Sequence, residues 1–437
     1  MKKLLFSLLA LLLLSVLAVA MVACGEDKAP APTETTAPSE TTSVSAYKST
    51  GNFEKLQGQL TWEGINAFPI KNKNMSLDEL RSLCVDFFRY SKTALWVPDN
   101  TLQIYNSAGE PARTVDKGVV YGGLPYVGVA SGNIYRVMDY MDPDTGVVNV
   151  LAAAENPELF GNQCSIAAWW GWARVINSAK YEWTYHAVKS RGFVPLGPHY
   201  YDPELKRFTT EYGTDECCKE NGLDTMLASY AELKKGDGIM YMTSAGHIVM
   251  ISEDAHVEYR DAEKTIIDPM KSYVTVLDQT TEWVTGTNEF GETYTYEANV
   301  DAKWTFMDLY EQNYLPYTYK EFIGEDPVED TEITYSHTGD TITKDQLYAS
   351  SATCNYGLVD LYAIIHDSHG NEVFKLVSRA HIANLKTLKF ETQKSEPTLF
   401  NWGNWDSLTK DETYTVTIVA QIGTGERPTL WEGKLAL

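Results

Sequence analysis

The fifteen residues 164–178, CSIAAWWGWARVINS, are apolar on nearly every face of a helix. Such a helix offers no side to water and has to be enclosed by other elements. The middle of the chain must therefore supply covering layers, and they are legible nearby. Residues 76–96 predict an amphipathic helix: Leu77, Leu80, Cys84 and Phe87 recur at helical spacing, and Ser76 with Glu79 three residues on forms a capping box. Residues 239–242, 246–252 and 273–280 are short runs rich in branched and aromatic side chains, and read as strands. The paired Gly122-Gly123 followed by Pro125 predicts a turn. Beyond Asp330 the pattern is mainly strand, with LVDLYAIIHD and EVFKLVSRA joined by Ser368-His369-Gly370-Asn371, then YTVTIVAQI and WEGKLAL. About a hundred residues of that kind predict a C-terminal all-β, immunoglobulin-like sandwich behind an α+β central domain.

The start of the chain bears on location. Lys2 and Lys3 precede a mostly apolar run over residues 4–22, the charged and hydrophobic regions of a secretory signal. The run ends Val22-Ala23-Cys24, and small residues before a cysteine resemble the lipobox at which bacterial signal peptidase cuts and the cysteine is acylated. This predicts a signal peptide over residues 1–23, lipidation at Cys24 and an extracytoplasmic protein that meets the membrane through its lipid anchor only. The alternative is a transmembrane helix, since the run is just long enough to span ~30 Å. Residues 29–50 are mostly Ala, Pro, Thr, Ser and Glu, cannot bury a core, and predict a solvated tether over 24–50.

The rest divides into an expected helical N-terminal region (51–118), a central domain (119–329) and the sandwich (330–437). With 44% hydrophobic residues the chain can bury sizeable cores. The formal charge is −23, and removal of the leader takes away two further lysines. Nucleic acid is excluded as a partner, because phosphate binding needs clustered Lys and Arg; the acidity serves solubility. Cys84, Cys164, Cys217, Cys218 and Cys354 are odd in number and irregularly spaced, so they form no disulfide framework. No His-Glu-x-x-His, CxxC pair, calcium loop or phosphate cradle occurs, and no metal or cofactor is expected.

The chemistry lies in the middle. Gly161-Asn162-Gln163-Cys164 puts a thiol at the first turn of the apolar helix, where backbone N–H groups and the helix dipole favour a thiolate. In LKKGDGIMYMTSAGHIVMIS a Gly-Asp turn leads into one strand and Gly246-His247 opens the next, so a histidine stands at a sheet mouth where imidazole can take a thiol proton. A third member must orient His247. If the strands on either side of Glu263 pair as an antiparallel ribbon, the position opposite His247 falls close to Gln279 and far from Asp268, which precedes Pro269 in a turn. Asp278 and Gln279 are both candidates, and alternation allows only one of them on the histidine face. The aromatic clusters Trp169, Trp170, Trp172 and Phe400, Trp402, Trp405 read as packing, with a sugar or peptide groove as the alternative.

Together these segments resemble the NlpC-type and CHAP group of papain-like bacterial cell-wall hydrolases. Gly123-Leu124-Pro125-Tyr126 is similar to the Gly-x-Pro-Tyr segment before the NlpC-type cysteine, and Gln163-Cys164-Ser165 to the Gln-Cys-Thr of CHAP domains. Leu277-Asp278-Gln279-Thr280 resembles the CHAP Glu-Gln-Asn, with Asp278 in place of the Glu. Gln163 and Ile166 replace the Asp and Gly of the NlpC-type Asp-Cys-Ser-Gly. The resemblance implies a papain-like fold, Cys164 as nucleophile, His247 as base, Asp278 or Gln279 as third member, Tyr126 and Gln163 beside the substrate, and peptidoglycan as partner. It implies amide cleavage, by an endopeptidase or an amidase, without a cofactor. A surface-binding lipoprotein on the same scaffold is the alternative.

Overall fold

The computed structural model describes residues 56–437 except 107–108, 129–131, 143–144, 154–156, 178–192, 201–211, 244, 381, 384 and 391–397. The expected leader, Cys24 and the tether lie outside the described residues. The fold is mixed α+β, with most of its strands in two large sheets.

The first sheet has nine strands: β1 (Leu95–Pro98), β2 (Tyr121–Gly122), β3 (Val147–Val148), β4 (Phe193–Pro195), β5 (Gly238–Met242), β6 (Gly246–His256), β7 (Tyr273–Thr287), β8 (Thr293–Thr305) and β9 (Leu315–Tyr319). Their order is β3-β1-β2-β8-β7-β6-β5-β9-β4. β1 comes from the stretch expected to be a helical N-terminal region, yet it shares this sheet with the strands of the central domain. That stretch also holds a separate hairpin, Leu102–Tyr105 with Pro111–Val115.

One face of the sheet is covered by α1 (Leu77–Thr93) and α2 (Cys164–Trp172). α1 begins at the predicted capping box: Ser76 N donates to Glu79 Oε2 at 2.8 Å and Glu79 N to Ser76 Oγ at 3.3 Å. Its buried stripe is Leu80, Leu83, Cys84, Phe87 and Phe88. Leu77, expected on that stripe, is instead 44% exposed at the first position of the helix. Every residue of α2 is buried, Trp169, Trp170 and Trp172 included, so that cluster belongs to the core. A third helix, α3 (Thr214–Tyr230), is interrupted at Gly222, whose φ of 74° is not helical.

The second sheet holds β10 (Ile333–Tyr335), β11 (Thr341–Thr343), β12 (Ser351–His366), β13 (Glu372–Arg379), β14 (Leu385–Lys389), β15 (Thr398–Trp402), β16 (Thr415–Ile422) and β17 (Thr429–Ala436). The long β12 changes neighbours midway: residues 351–354 pair with β14 and β10, and residues 360–366 with β13 and β16. Leu361, Ala363 and Ile365 point into this unit's own core. The alternate residues Asp360 and Tyr362 are also fully buried, because that face packs against the first unit.

Four charged side chains are sealed into this junction. Arg136 Nη2 donates to Asp360 Oδ1 at 3.3 Å and to the Ala380 carbonyl, and Arg379 pairs with Asp139. Tyr362 Oη donates to Asp139 Oδ2 and Asp360 Oδ2, both at 3.1 Å. Trp402 packs on Tyr140 and Trp405 on Phe374, as ordinary packing predicts; the Phe400 side chain lies outside the described residues.

Candidate active site

His247 stands one residue into β6, next to the tight turn in which Thr243 N donates to the Ala245 carbonyl at 2.8 Å. The preceding Gly236-Asp237 turn is locked from α1. Asp237 is fully buried, and its carboxylate accepts from Arg81 Nη1 at 2.6 Å and from Lys234 N at 2.8 Å.

β6 and β7 form the expected ribbon, with Met250 opposite Leu277 and Ile251 opposite Val276. Extended at the same register, the position opposite His247 is Thr280, one residue beyond the expected Gln279. The turn is centred where expected, with Tyr259 bridged to Ile267; residues 268–272 then add length on the β7 side, and the irregularities at Glu253 and His256 on β6 take back all but one residue of it. Parity then selects between the two candidates. Asp278, two residues from Thr280, lies on the His247 face, and His247 Nε2 is 2.8 Å from Asp278 Oδ1. Asn299, opposite Asp278 on β8, donates from Nδ2 to Asp278 Oδ2 at 3.2 Å. Asp278 is 3% exposed, so little water competes for its carboxylate.

Gln279 points to the other face. Its Oε1 accepts from Lys92 Nζ, and its Nε2 donates to the carbonyls of Leu124 at 3.3 Å and Glu297 at 2.8 Å. Asp268 sits in the turn at the far end of the ribbon, where Met270 N donates to its carboxylate at 3.2 Å and Arg260 lies 3.7 Å away. The structure thus brings Asp278 to His247 and takes Gln279 and Asp268 elsewhere.

Cys164 is the first residue of α2 and is 3% exposed. Gln163 is the N-cap residue, and its side chain makes no capping bond. The segment leading into α2 is tied to the Tyr126 segment: Asn162 N donates to the Pro125 carbonyl and Val127 N to the Asn162 carbonyl, each at 3.0 Å. Tyr126 N in turn donates to Glu297 Oε2 at 2.6 Å. Tyr126 is thus bridged to Asn162, the residue before Gln163 and two before Cys164.

Lys92 carries this link to β7. It is 2% exposed near the end of α1, and its Nζ donates to Asn162 Oδ1 at 3.2 Å as well as to Gln279. Burial lowers its pKa to about 7, against the pull of Asp278 and Glu297. Burial likewise pushes Glu297 up to about 7, although Arg113 Nε sits 2.8 Å from its carboxylate and opposes the rise. Tyr314 is buried in the core of the first unit. Burial raises its pKa well above the usual phenol value, with further contributions from Asp278, Tyr241 and Cys164, so one phenol is within electrostatic range of both carboxylate and thiol. The Tyr241 ring packs edge-on against Tyr314 and lies 6.5 Å from the His247 ring.

Face parity adds a constraint. A Cβ placed on Gly171 of α2 would lie 2.9 Å from Met250 Cε, so Met250 points at α2. His247, three residues along a regularly paired strand, belongs to the opposite alternation set, with Asp278 and Asn299. The His247 side chain therefore lies on the face opposite to the one that Met250 presents to α2.

Lys92, Asn162, Glu297, Asn299 and Tyr314 were not identified from sequence. Lys92 left a trace, a lysine at i+4 and i+8 from two buried stripe residues, Phe88 and Cys84. The five described cysteines are all free thiols. Asp367, His369 and Glu412 bring ligand-type atoms within 4.8 Å of one another, but the Asp367 carboxylate is already used by His369 N and Asn371 N in closing a turn. Among the described residues no helix is long and apolar enough to cross a membrane. No family model matches the chain, and neither a curated protein nor a solved structure is significantly similar to it.

Proposed function

We propose that the chain is a papain-like cysteine hydrolase of the NlpC/CHAP cell-wall type, with a papain-like central domain, an immunoglobulin-like C-terminal sandwich, and peptidoglycan stem peptides as substrate. The observation that carries this reading is the 2.8 Å approach of His247 Nε2 to Asp278 Oδ1, on two strands that the helix headed by Cys164 contacts. With Nε2 turned to Asp278, Nδ1 takes the Cys164 proton. The thiolate attacks the amide carbon, backbone N–H groups at the start of α2 hold the oxyanion, and the imidazolium protonates the leaving amine as the C–N bond breaks. Water then cleaves the thioester and restores the thiol. Tyr126 and Gln163 flank the substrate. The reaction is that of an endopeptidase or an amidase, needs no cofactor, and belongs outside the cytoplasm, where acylated Cys24 anchors the protein to the membrane.

A second reading, a surface-binding lipoprotein without turnover, is favoured by the burial of Cys164 and by the opposite faces of α2 and His247. One experiment separates them. The protein and its Cys164→Ala variant are incubated with purified peptidoglycan, fragments are identified by mass, and Cys164 is titrated with iodoacetamide. Hydrolysis predicts fragments from the parent only, and alkylation near neutral pH that slows in His247→Ala. No fragments, with alkylation of Cys164 only in denaturant, would establish the binding reading.

A further inference from the structure

A lysine that is 2% exposed has to justify its burial, because an ammonium loses several kcal/mol of hydration unless its surroundings replace it. Lys92 does not sit in a salt bridge. Its two hydrogen-bond partners are neutral amide oxygens, Asn162 Oδ1 and Gln279 Oε1. Each of those amides is itself immobilised. Gln279 Nε2 is held by the carbonyls of Leu124 and Glu297, and the Asn162 backbone by Pro125 and Val127. What the two partners share is position: Asn162 lies two residues before Cys164, and Gln279 is the residue after Asp278.

The charged groups around Lys92 come from three directions. Asp278 and Glu297 on β7 and β8 attract it, Arg113 balances Glu297, and His247 faces Asp278. A cation at this point therefore acts on the site in two ways. It fixes the distance between the start of α2 and the Asp278 position of β7, and it adds a positive potential that favours anions nearby, thiolate included.

We propose that Lys92 is a positioning residue for the Cys164–His247–Asp278 site, clamping the head of the nucleophile helix to the strand that orients the histidine and electrostatically favouring the thiolate. The proposal rests on the catalytic reading above.

The test is the pH profile of Cys164 alkylation by iodoacetamide, measured on the full chain and on Lys92→Met, which keeps the length of the side chain without its charge. Removing a cation raises the pKa of neighbouring acids. The acid limb should move alkaline by about one pH unit in Lys92→Met. The alkaline limb should move less, since Lys92 is losing its own proton near pH 7. Lys92→Gln is the second variant, in case Lys92→Met does not fold. It keeps a polar, neutral donor without the charge, and its acid limb should shift in the same direction. A purely structural lysine would lower the melting temperature of Lys92→Met and leave the acid limb of both variants in place, which would overturn the proposal. A parent whose alkylation follows an ordinary thiol titration and ignores His247→Ala would instead overturn the catalytic reading on which it rests.

Discussion

Asp360→Asn tests whether the second sheet is part of the folded unit that carries the site. Asp360 is fully buried and Arg136 is 2% exposed, so neither charge is relieved by water. The asparagine keeps the volume and one acceptor oxygen but leaves Arg136 and Arg379 to share the single carboxylate of Asp139. Breaking a buried ion pair by removing one partner costs about 3–5 kcal/mol. Here Arg136 retains the Ala380 carbonyl and Arg379 retains Asp139, which argues for the low end, about 3 kcal/mol. That is a large share of a total stability of roughly 5–15 kcal/mol. In urea, with a slope of roughly 3 kcal/mol/M, the midpoint should fall by about 1 M. Tryptophan fluorescence is the assay, because Trp169, Trp170 and Trp172 report on α2, in the first unit, and Trp402 and Trp405 on the second, where the substitution lies. A single transition that moves to lower urea for these tryptophans is expected. Replacing both partners, Arg136→Met with Asp360→Leu, should recover much of the loss, since it leaves less buried charge unpaired. A midpoint unchanged in Asp360→Asn, or a shift confined to a separate transition of the C-terminal sheet, would refute the reasoning.

Two further outcomes follow from the site itself. Asp278→Ala should slow peptidoglycan turnover roughly 100-fold or more with little change in melting temperature, Gln279→Ala should act mainly through stability, and Asp268→Ala should be nearly silent; loss of activity in Asp268→Ala alone would reverse this ranking. Gly123→Ala should destabilise by about 3 kcal/mol in a urea titration, since Gly123 has a φ of +61° and a Cβ there would stand 2.5 Å from the Ser91 carbonyl oxygen; a stability within about 0.5 kcal/mol of the parent would show that this backbone gives way easily.

The sequence announced what local rules govern and missed what only the fold brings together. The capping box at Ser76 and Glu79, the all-apolar α2 and the strands after residue 350 are read from neighbours along the chain, and each is present. The ribbon argument came within one residue because it assumed two evenly matched strands, whereas residues 268–272 add length before β7 that the irregularities of β6 at Glu253 and His256 offset only in part. That single residue decided between Asp278 and Gln279, since a slip of one reverses every side chain. The pair Arg136–Asp360 joins positions 224 apart and Arg379–Asp139 positions 240 apart, and no local pattern marks either. Leu77 failed for the opposite reason: its spacing was helical, but spacing alone does not say where the covered face begins.

A nine-residue helix that is apolar all round poses a problem of orientation, and the structure answers it at the two ends. Hydrophobic burial has no direction, so packing alone resists little when such a helix turns about its axis. At 3.6 residues per turn, a rotation equivalent to one residue would swing Cys164 by about 100° and remove it from any fixed partner. Directional bonds prevent this. At the head, Asn162 is held by Pro125, Val127 and Lys92. At the tail, Trp172 Nε1 donates to the Gly236 carbonyl at 2.7 Å, and Arg174 donates to Tyr135 Oη at 3.1 Å and to the Pro69 carbonyl at 3.2 Å. The second sheet closes the tail: a Cβ on Gly425 would stand 1.5 Å from Arg174 Nη1, so that loop lies directly on the guanidinium. The C-terminal unit therefore bears on Cys164 by fixing the far end of the helix that carries it, and this is the physical reason to expect a loosened junction at Asp360 to be felt at the candidate site.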